Sequence, residues 1–188
     1  MKASEAKLQR VIEGANQFVV PLFQRKYSWD SKEWNTLWED LLELYEEESR
    51  RNHFIGSIVT MPTQSVPEGV AKYLLIDGQQ RFTTIFVLLA VLRDKAKATP
   101  DSTLWREIEQ TLLTNPFKHG NDTFKLLPTQ GDRESFLSVI ARGNWVRRRP
   151  NHASLQILRA EDPPFRDSRF GEAQADYREP TGLGQYRA

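Results

Sequence analysis

The chain has 188 residues, 39% of them hydrophobic, which is enough for one ordinary core. Its 26 basic and 25 acidic side chains nearly cancel, which excludes a global field for nucleic acid or membrane and leaves any such contact to a local patch. With no cysteine there is no disulfide framework, thiolate zinc site or thiol nucleophile, the N-terminus lacks the apolar run of a signal peptide, and no apolar run is long enough for a membrane span, so a soluble cytoplasmic protein is expected.

In chain order, Ser4 is placed to cap a short helix in which Leu8, Val11 and Ile12 share a face, with Gly14 to end it. Phe18-Val19-Val20 reads as a brief strand stopped by Pro21. Residues 30–49 carry the clearest helical pattern. Asp30 and Glu33 make a capping box, Trp34, Leu37, Trp38, Leu41, Leu44 and Tyr45 form one apolar stripe, and the other face is acidic.

Residues 54–60 and 73–76 read as paired strands from their β-branched and aromatic content, with 62–69 as a hairpin-type connection. Asp77-Gly78 is a turn signal. After it a second long helix runs to about Ala98, with Phe82, Ile85, Phe86, Leu89 and Leu92 at helical spacing. A third helix is expected over 104–113, a loop over 115–122, a short strand over 123–127 ended by Pro128, and a fourth long helix over 132–141. The order α, β, α, β, β, α, α, β, α predicts an α+β domain, a mixed arrangement with a small sheet and several flanking helices.

After Trp145 the texture changes to eight arginines without a lysine, four prolines and no sustained periodicity. The expected division is therefore a domain over 1–143 and a poorly structured or truncated tail over 144–188, the latter consistent with a chain cut short or read in an altered frame.

The sharpest chemical feature is Ile76-Asp77-Gly78-Gln79-Gln80-Arg81-Phe82-Thr83-Thr84, where a strand gives way to a helix. A helix N-terminus has unpaired N–H groups and the positive end of the macrodipole, so an anion is favoured there, phosphate above all. Gly78 allows close backbone approach, Gln79 and Gln80 supply amide donors, Arg81 supplies a planar fork, and Thr83 and Thr84 could assist. Asp77 is suited to orienting a magnesium ion or a water. The plainer alternative is a simple turn followed by solvated first-turn residues.

A second cluster, Pro21-Leu22-Phe23-Gln24-Arg25-Lys26-Tyr27-Ser28-Trp29, joins cations to aromatics, as a surface that stacks bases and holds phosphates does. Its alternative is core packing beneath Trp34 and Trp38. His53-Phe54-Ile55-Gly56-Ser57 is the third, with Gly56 marking a bulge or close approach and His53 a minor candidate for a general base. His53, His119 and His152 form no metal-ligand or His-Asn-His pattern. Arg147, Arg148 and Arg149 read either as phosphate contacts or as a solvated charge run.

Taken together and in this order, PLFQRKYSW, HFIGSIV, LLIDGQQRFTT and LLPTQGDRESF resemble the N-terminal domain of GmrSD-type restriction proteins, also called domain of unknown function 262. The four blocks fall within residues 18–140, and their combination is far more specific than any one of them. The resemblance implies a ParB/sulfiredoxin-like fold in which Gly78-Gln79-Gln80-Arg81 is the counterpart of a phosphate-binding Gly-x-x-Arg segment. Sulfiredoxin chemistry does not carry over to a chain without cysteine.

The resemblance further implies NTP binding and magnesium-dependent hydrolysis within an anti-phage system that senses modified DNA. Gln24, Arg25, Gly78, Gln79, Gln80, Arg81, Thr83 and Thr84 would form the nucleotide site, with Asp77 and Arg81 catalytic and Asp77 the metal ligand. Arg25, Lys26 and Tyr27 would face DNA. An HNH nuclease domain or subunit is an expected partner, so nuclease activity is not expected of this chain alone. The alternatives are a non-catalytic DNA-binding or partner-docking module of the same fold and a non-functional gene fragment.

Overall fold

The computed structural model describes residues 4–46, 53–63 and 69–141. The tail expected over 144–188, with Arg147, Arg148, Arg149 and His152, lies outside the described residues, as does the part of the helix expected beyond residue 46. Within them the fold is α+β, a four-stranded mixed sheet flanked by helices.

The first helix, α1 (Leu8–Ile12), starts at an extended Lys7 that makes no side-chain cap, and Ser4 stands too far back to cap it. A five-residue helix has little stability of its own. It is held at its other end instead, where the buried Lys125 ammonium donates to the carbonyls of Ile12 and Gly14. Gly14 adopts the left-handed backbone (φ 87°) that turns the chain into strand β1 (Asn16–Val19).

Helix α2 (Ser31–Glu46) begins on the expected box. Asp30 accepts from the Lys32 N–H at 2.9 Å, and the Asp30 N–H donates to Glu33 at 3.1 Å. Its expected apolar stripe is only partly covered, Trp34, Leu37, Trp38, Leu41 and Leu44 being half-buried and Tyr45 exposed, and the helix's one buried residue, Leu42, lies outside that stripe.

Strand β2 (Val59–Pro62) is shorter than expected, because residues 53–58 are not a strand. Gly56 there has φ 96°, a left-handed conformation incompatible with a ladder, and the segment packs onto the following helix instead. β2 runs antiparallel to β3 (Ala71–Asp77), and residues 64–68 of their connection lie outside the described residues.

β3 pairs parallel with β1, Asn16 opposite Ala71 and Val19 opposite Leu74. β1 pairs parallel with β4 (Leu126–Leu127), a two-residue remnant of the strand expected over 123–127, since residues 120–123 close a 3-10 turn. The sheet order is β2-β3-β1-β4.

Strand direction decides where the connections meet. The carboxyl ends of β1, β3 and β4 and the amino end of antiparallel β2 all reach the same edge of the sheet, Val59 standing opposite Asp77. Segments that leave or enter there lie side by side, and in open α/β sheets this edge is where ligands bind.

Helix α3 (Gln79–Ala98) follows β3 after the single residue Gly78. Phe82, Phe86 and Ala90 bury one face of it against the sheet and helix α5 (Gln130–Ile140). Phe18 meets Phe82 edge-on at 5.0 Å between centroids, and Phe86 reaches Phe136 at 6.4 Å. Each such ring contributes about 1.5–3 kcal/mol of apolar burial.

One turn further the expected stripe fails: Leu92 is 47% exposed and Arg93 is wholly buried in its place. The Arg93 guanidinium donates to the terminal carbonyls of α5, Nη1 to Ile140 at 2.6 Å and Nη2 to Val139 at 3.4 Å. Its Nε bonds Asp94 at 2.9 Å.

Helix α4 (Leu104–Glu107) continues as a π-helix over Ile108–Leu113, so the helix expected over 104–113 is present with a wider second half. The wide turn buries Ile108 and Leu113, five apart, on one side.

Candidate functional site

Four segments meet at the sheet edge described above: residues 21–28 after β1, 53–58 before β2, the turn at Asp77-Gly78, and the start of α5. Asp77 ends β3 and is exposed. Gly78 caps α3 with φ 89° and ψ 8°, a conformation that favours glycine. A Cβ there would lie 3.1 Å from the Ser57 carbonyl and 3.3 Å from the Ile58 side chain, so the close approach of residues 57–58 also favours glycine.

Gln79 and Gln80 are buried, and the amide nitrogens of both are engaged. Gln79 Nε2 donates to the Arg25 carbonyl at 3.1 Å and to Gln24 Oε1 at 3.4 Å. Gln80 Nε2 donates to the Lys26 carbonyl at 3.2 Å while its Oε1 accepts from the Ser28 N–H at 2.8 Å. Gln24 Nε2 in turn donates to the Ile76 carbonyl at 2.8 Å. The three glutamines therefore lace the 24–28 segment to the end of β3 and the first turn of α3. What they leave for a ligand at this edge is backbone N–H groups and neighbouring charged side chains.

Tyr27 is a hub. Its N–H donates to Asp132 Oδ2 of α5 at 2.8 Å, and the same oxygen accepts from Thr129 Oγ1 at 2.6 Å. The Tyr27 and Thr84 hydroxyls lie 2.7 Å apart, and the Thr84 hydroxyl also reaches the Gln80 carbonyl at 3.0 Å. Trp34 Nε1 of α2 donates to that phenol oxygen at 2.6 Å. The phenol is thus turned inward, joining α2 to α3. Thr83, the sequence neighbour of Thr84 in the first turns of α3, is buried.

Burial lifts the Tyr27 phenol above its ordinary value near 10, and the bonds to Thr84 and Trp34 oppose that rise. An acid whose folded value is raised has its ionised form disfavoured by folding, so the fold is unaffected below pH 10 and loses stability as pH climbs from there towards the folded value. Denaturant midpoints measured from pH 8 to 11 should fall more steeply for the unaltered protein than for Tyr27→Phe. Parallel curves would rule the phenol out as the cause.

The charged groups are placed differently. Arg25 and Lys26 are exposed at the rim. Lys26 extends over the start of α5, where a Cβ on Gly131 would lie 3.3 Å from its Nζ. Arg81 is half exposed and its Nη2 donates to the Ser57 carbonyl at 2.9 Å. Around the same edge stand exposed apolar side chains, Leu22 and Phe23 at 78% and Phe54 at 80%. His53 faces Asp40 of α2 at 3.4 Å, and His119 is exposed in the loop before the 3-10 turn.

The arrangement thus brings together Gln24, Arg25, Lys26, Tyr27 and residues 77–84. It adds Trp34 and Asp132, to which the motifs assign no role in the site, and joins to it Gly56 and Ser57 of the third candidate cluster. The motifs do mark Gly56 for a close approach, but the group that approaches it belongs to a residue 25 positions along the chain and is invisible to local pattern.

Among the described residues no three His, Cys, Asp or Glu side chains gather as a metal site. A lone exposed Asp77 is a donor set that fits magnesium held largely by substrate phosphates and water, and does not fit an all-protein cage. Among the described residues no helix is long and apolar enough to cross a membrane.

A family model described as the GmrSD restriction endonuclease, N-terminal domain, matches residues 8–163. Among curated proteins nothing matches the chain.

Proposed function

The chain belongs to the family of GmrSD restriction endonuclease N-terminal domains, and from that premise we propose that it is the NTP-binding and NTP-hydrolysing module of a prokaryotic anti-phage restriction system. The observation that carries the reading is the turn itself. A left-handed Gly78 opens a 20-residue helix at the sheet edge where the four segments meet, with Asp77 exposed and Arg81 half exposed.

In this reading the triphosphate lies against the first N–H groups of α3, where the macrodipole favours negative charge. Arg81 adds charge-assisted bonds to phosphate oxygens, strongest where charge builds up during transfer. Asp77 orients the attacking water or serves as a single oxygen ligand to magnesium, which when bound would neutralise phosphate charge. Gln24, Gln79 and Gln80 act by holding the 24–28 segment in place, and Thr84 by tying that segment through Tyr27. An HNH nuclease, in another domain or subunit, would perform DNA cleavage. The test is phosphate release from each of the four NTPs with magnesium, with and without phage DNA, for the unaltered protein and Asp77→Ala. Equal release by both would refute the assignment.

A second reading, a DNA-docking module that turns over no nucleotide, is favoured by Leu22, Phe23, Arg25 and Lys26 standing at the surface of one segment. Cations beside exposed aromatic faces suit an unpaired strand. It predicts tight DNA binding whose logarithm falls linearly with the logarithm of salt concentration, without phosphate release, and the slope should shrink by about one on Lys26→Ala. A slope unchanged by that substitution would count against it.

A further inference from the structure

The Arg81 guanidinium lies against the backbone of Gly56, on the side where any other residue would carry its side chain. A Cβ built on Gly56 would fall 2.5 Å from the guanidinium carbon and closer still to Nη1. Gly56 also has φ 96°, a conformation that L side chains rarely adopt. The next peptide supplies the acceptor, the Ser57 carbonyl 2.9 Å from Nη2. That same carbonyl sits 3.1 Å from the place of a Gly78 Cβ, so residues 56–58 bear at once on the turn and on the arginine.

We infer that Gly56 and Ser57 are the positioning element of the site: the glycine opens a bed for the Arg81 guanidinium and the serine carbonyl pins one arm of its fork, leaving the remaining donors aimed for a triphosphate. The inference rests on the phosphate-site reading above and adds a regulator of its strength. An arginine side chain has several rotatable bonds, and immobilising them on binding costs affinity. An arginine already held by a carbonyl on one side and a bare backbone on the other loses less on binding, and its geometry persists into the transition state. Two glycines on two loops, Gly56 and Gly78, are then needed for one arginine, the first to seat it and the second to admit the segment that seats it.

The experiment is a double-mutant cycle on the full chain, with ATP, CTP, GTP, UTP and inorganic tripolyphosphate as probes, binding and phosphate release being measured beside thermal melting. Arg81→Ala should weaken binding of the best probe at least tenfold, and Gly56→Ala should weaken it by a comparable factor. In the Arg81→Ala background, where a methyl at position 56 no longer meets a guanidinium, Gly56→Ala should change affinity less than twofold. A purely structural role for Gly56 would move both backgrounds equally, and that result would overturn the inference.

Wild-type affinity in Gly56→Ala, with Arg81→Ala impaired, would overturn it while leaving the phosphate site standing. Undiminished binding by Arg81→Ala, or no binding by the unaltered protein, would remove the phosphate site and this inference with it. A measurement that needs no variant at position 56 accompanies the cycle: nuclear magnetic resonance of the Arg81 Nε–Hε group in the ligand-free protein. An ordered guanidinium before any triphosphate is added is the expected result, and a freely rotating one is the contrary one.

Discussion

Arg93→Ala should destabilise the protein by about 3–5 kcal/mol, a loss large enough to threaten the whole fold of a small domain. The side chain is wholly buried, and its guanidinium serves the last carbonyls of α5 at Ile140 and Val139. Truncation would leave a cavity between α3 and α5 and would strip buried carbonyls of their donor, two losses that add. Arg93→Met separates them, because methionine fills much of the volume and donates nothing, so roughly half the loss should return. Chemical denaturation with a shared slope reads both values. A loss below about 1 kcal/mol for Arg93→Ala would mean that the helix end is satisfied without it.

The second large effect follows from the proposed NTP-hydrolysing role. Arg81→Ala should lower the rate of NTP hydrolysis by about 10²–10³, since a preorganised donor aimed at developing charge is worth that much in a transition state. Its effect on ground-state affinity should be smaller, about 1.5–3 kcal/mol, the range for a hydrogen bond to a charged group. Arg81→Lys keeps the charge and loses the fork, so it should recover affinity better than rate. Steady-state phosphate release with saturating and limiting NTP distinguishes these cases. A variant whose rate is unchanged while its affinity falls would place Arg81 in binding alone.

The order of elements is legible in the sequence throughout, and α3 ends at the expected Ala98, because those features depend on local spacing and turn residues. The failures have specific causes. Residues 53–58 carry β-forming side chains, yet Gly56 takes a left-handed backbone to meet Arg81, a partner 25 positions away. Leu92 and Arg93 exchange expected places because the end of α5, 47 positions downstream, needs a donor more than the core needs a leucine. Tertiary demands of that kind leave no mark on periodicity.

The site divides the same way. That Asp77 to Arg81 form a turn at a helix start is readable from composition and order. That Gln79 and Gln80 are ties rather than free donors is not, since their acceptors are main-chain carbonyls 54 positions away, which any sequence supplies. Local pattern leaves Tyr27 open between a surface beside its basic neighbours and packing beneath Trp34 and Trp38, and contacts of its hydroxyl with Trp34 and Thr84, seven and 57 positions away, favour the second.

The lacing of the 24–28 segment by carboxamides bears on how the domain tolerates its surroundings. Neutral amide ties attract no counterions, so concentrated brine should leave the contour of this edge intact. The forces that would hold an anion against it, by contrast, are charges at its rim and fade as ions crowd in. Scaffold and grip thus answer to different conditions, and the domain can let go of a ligand without losing its shape.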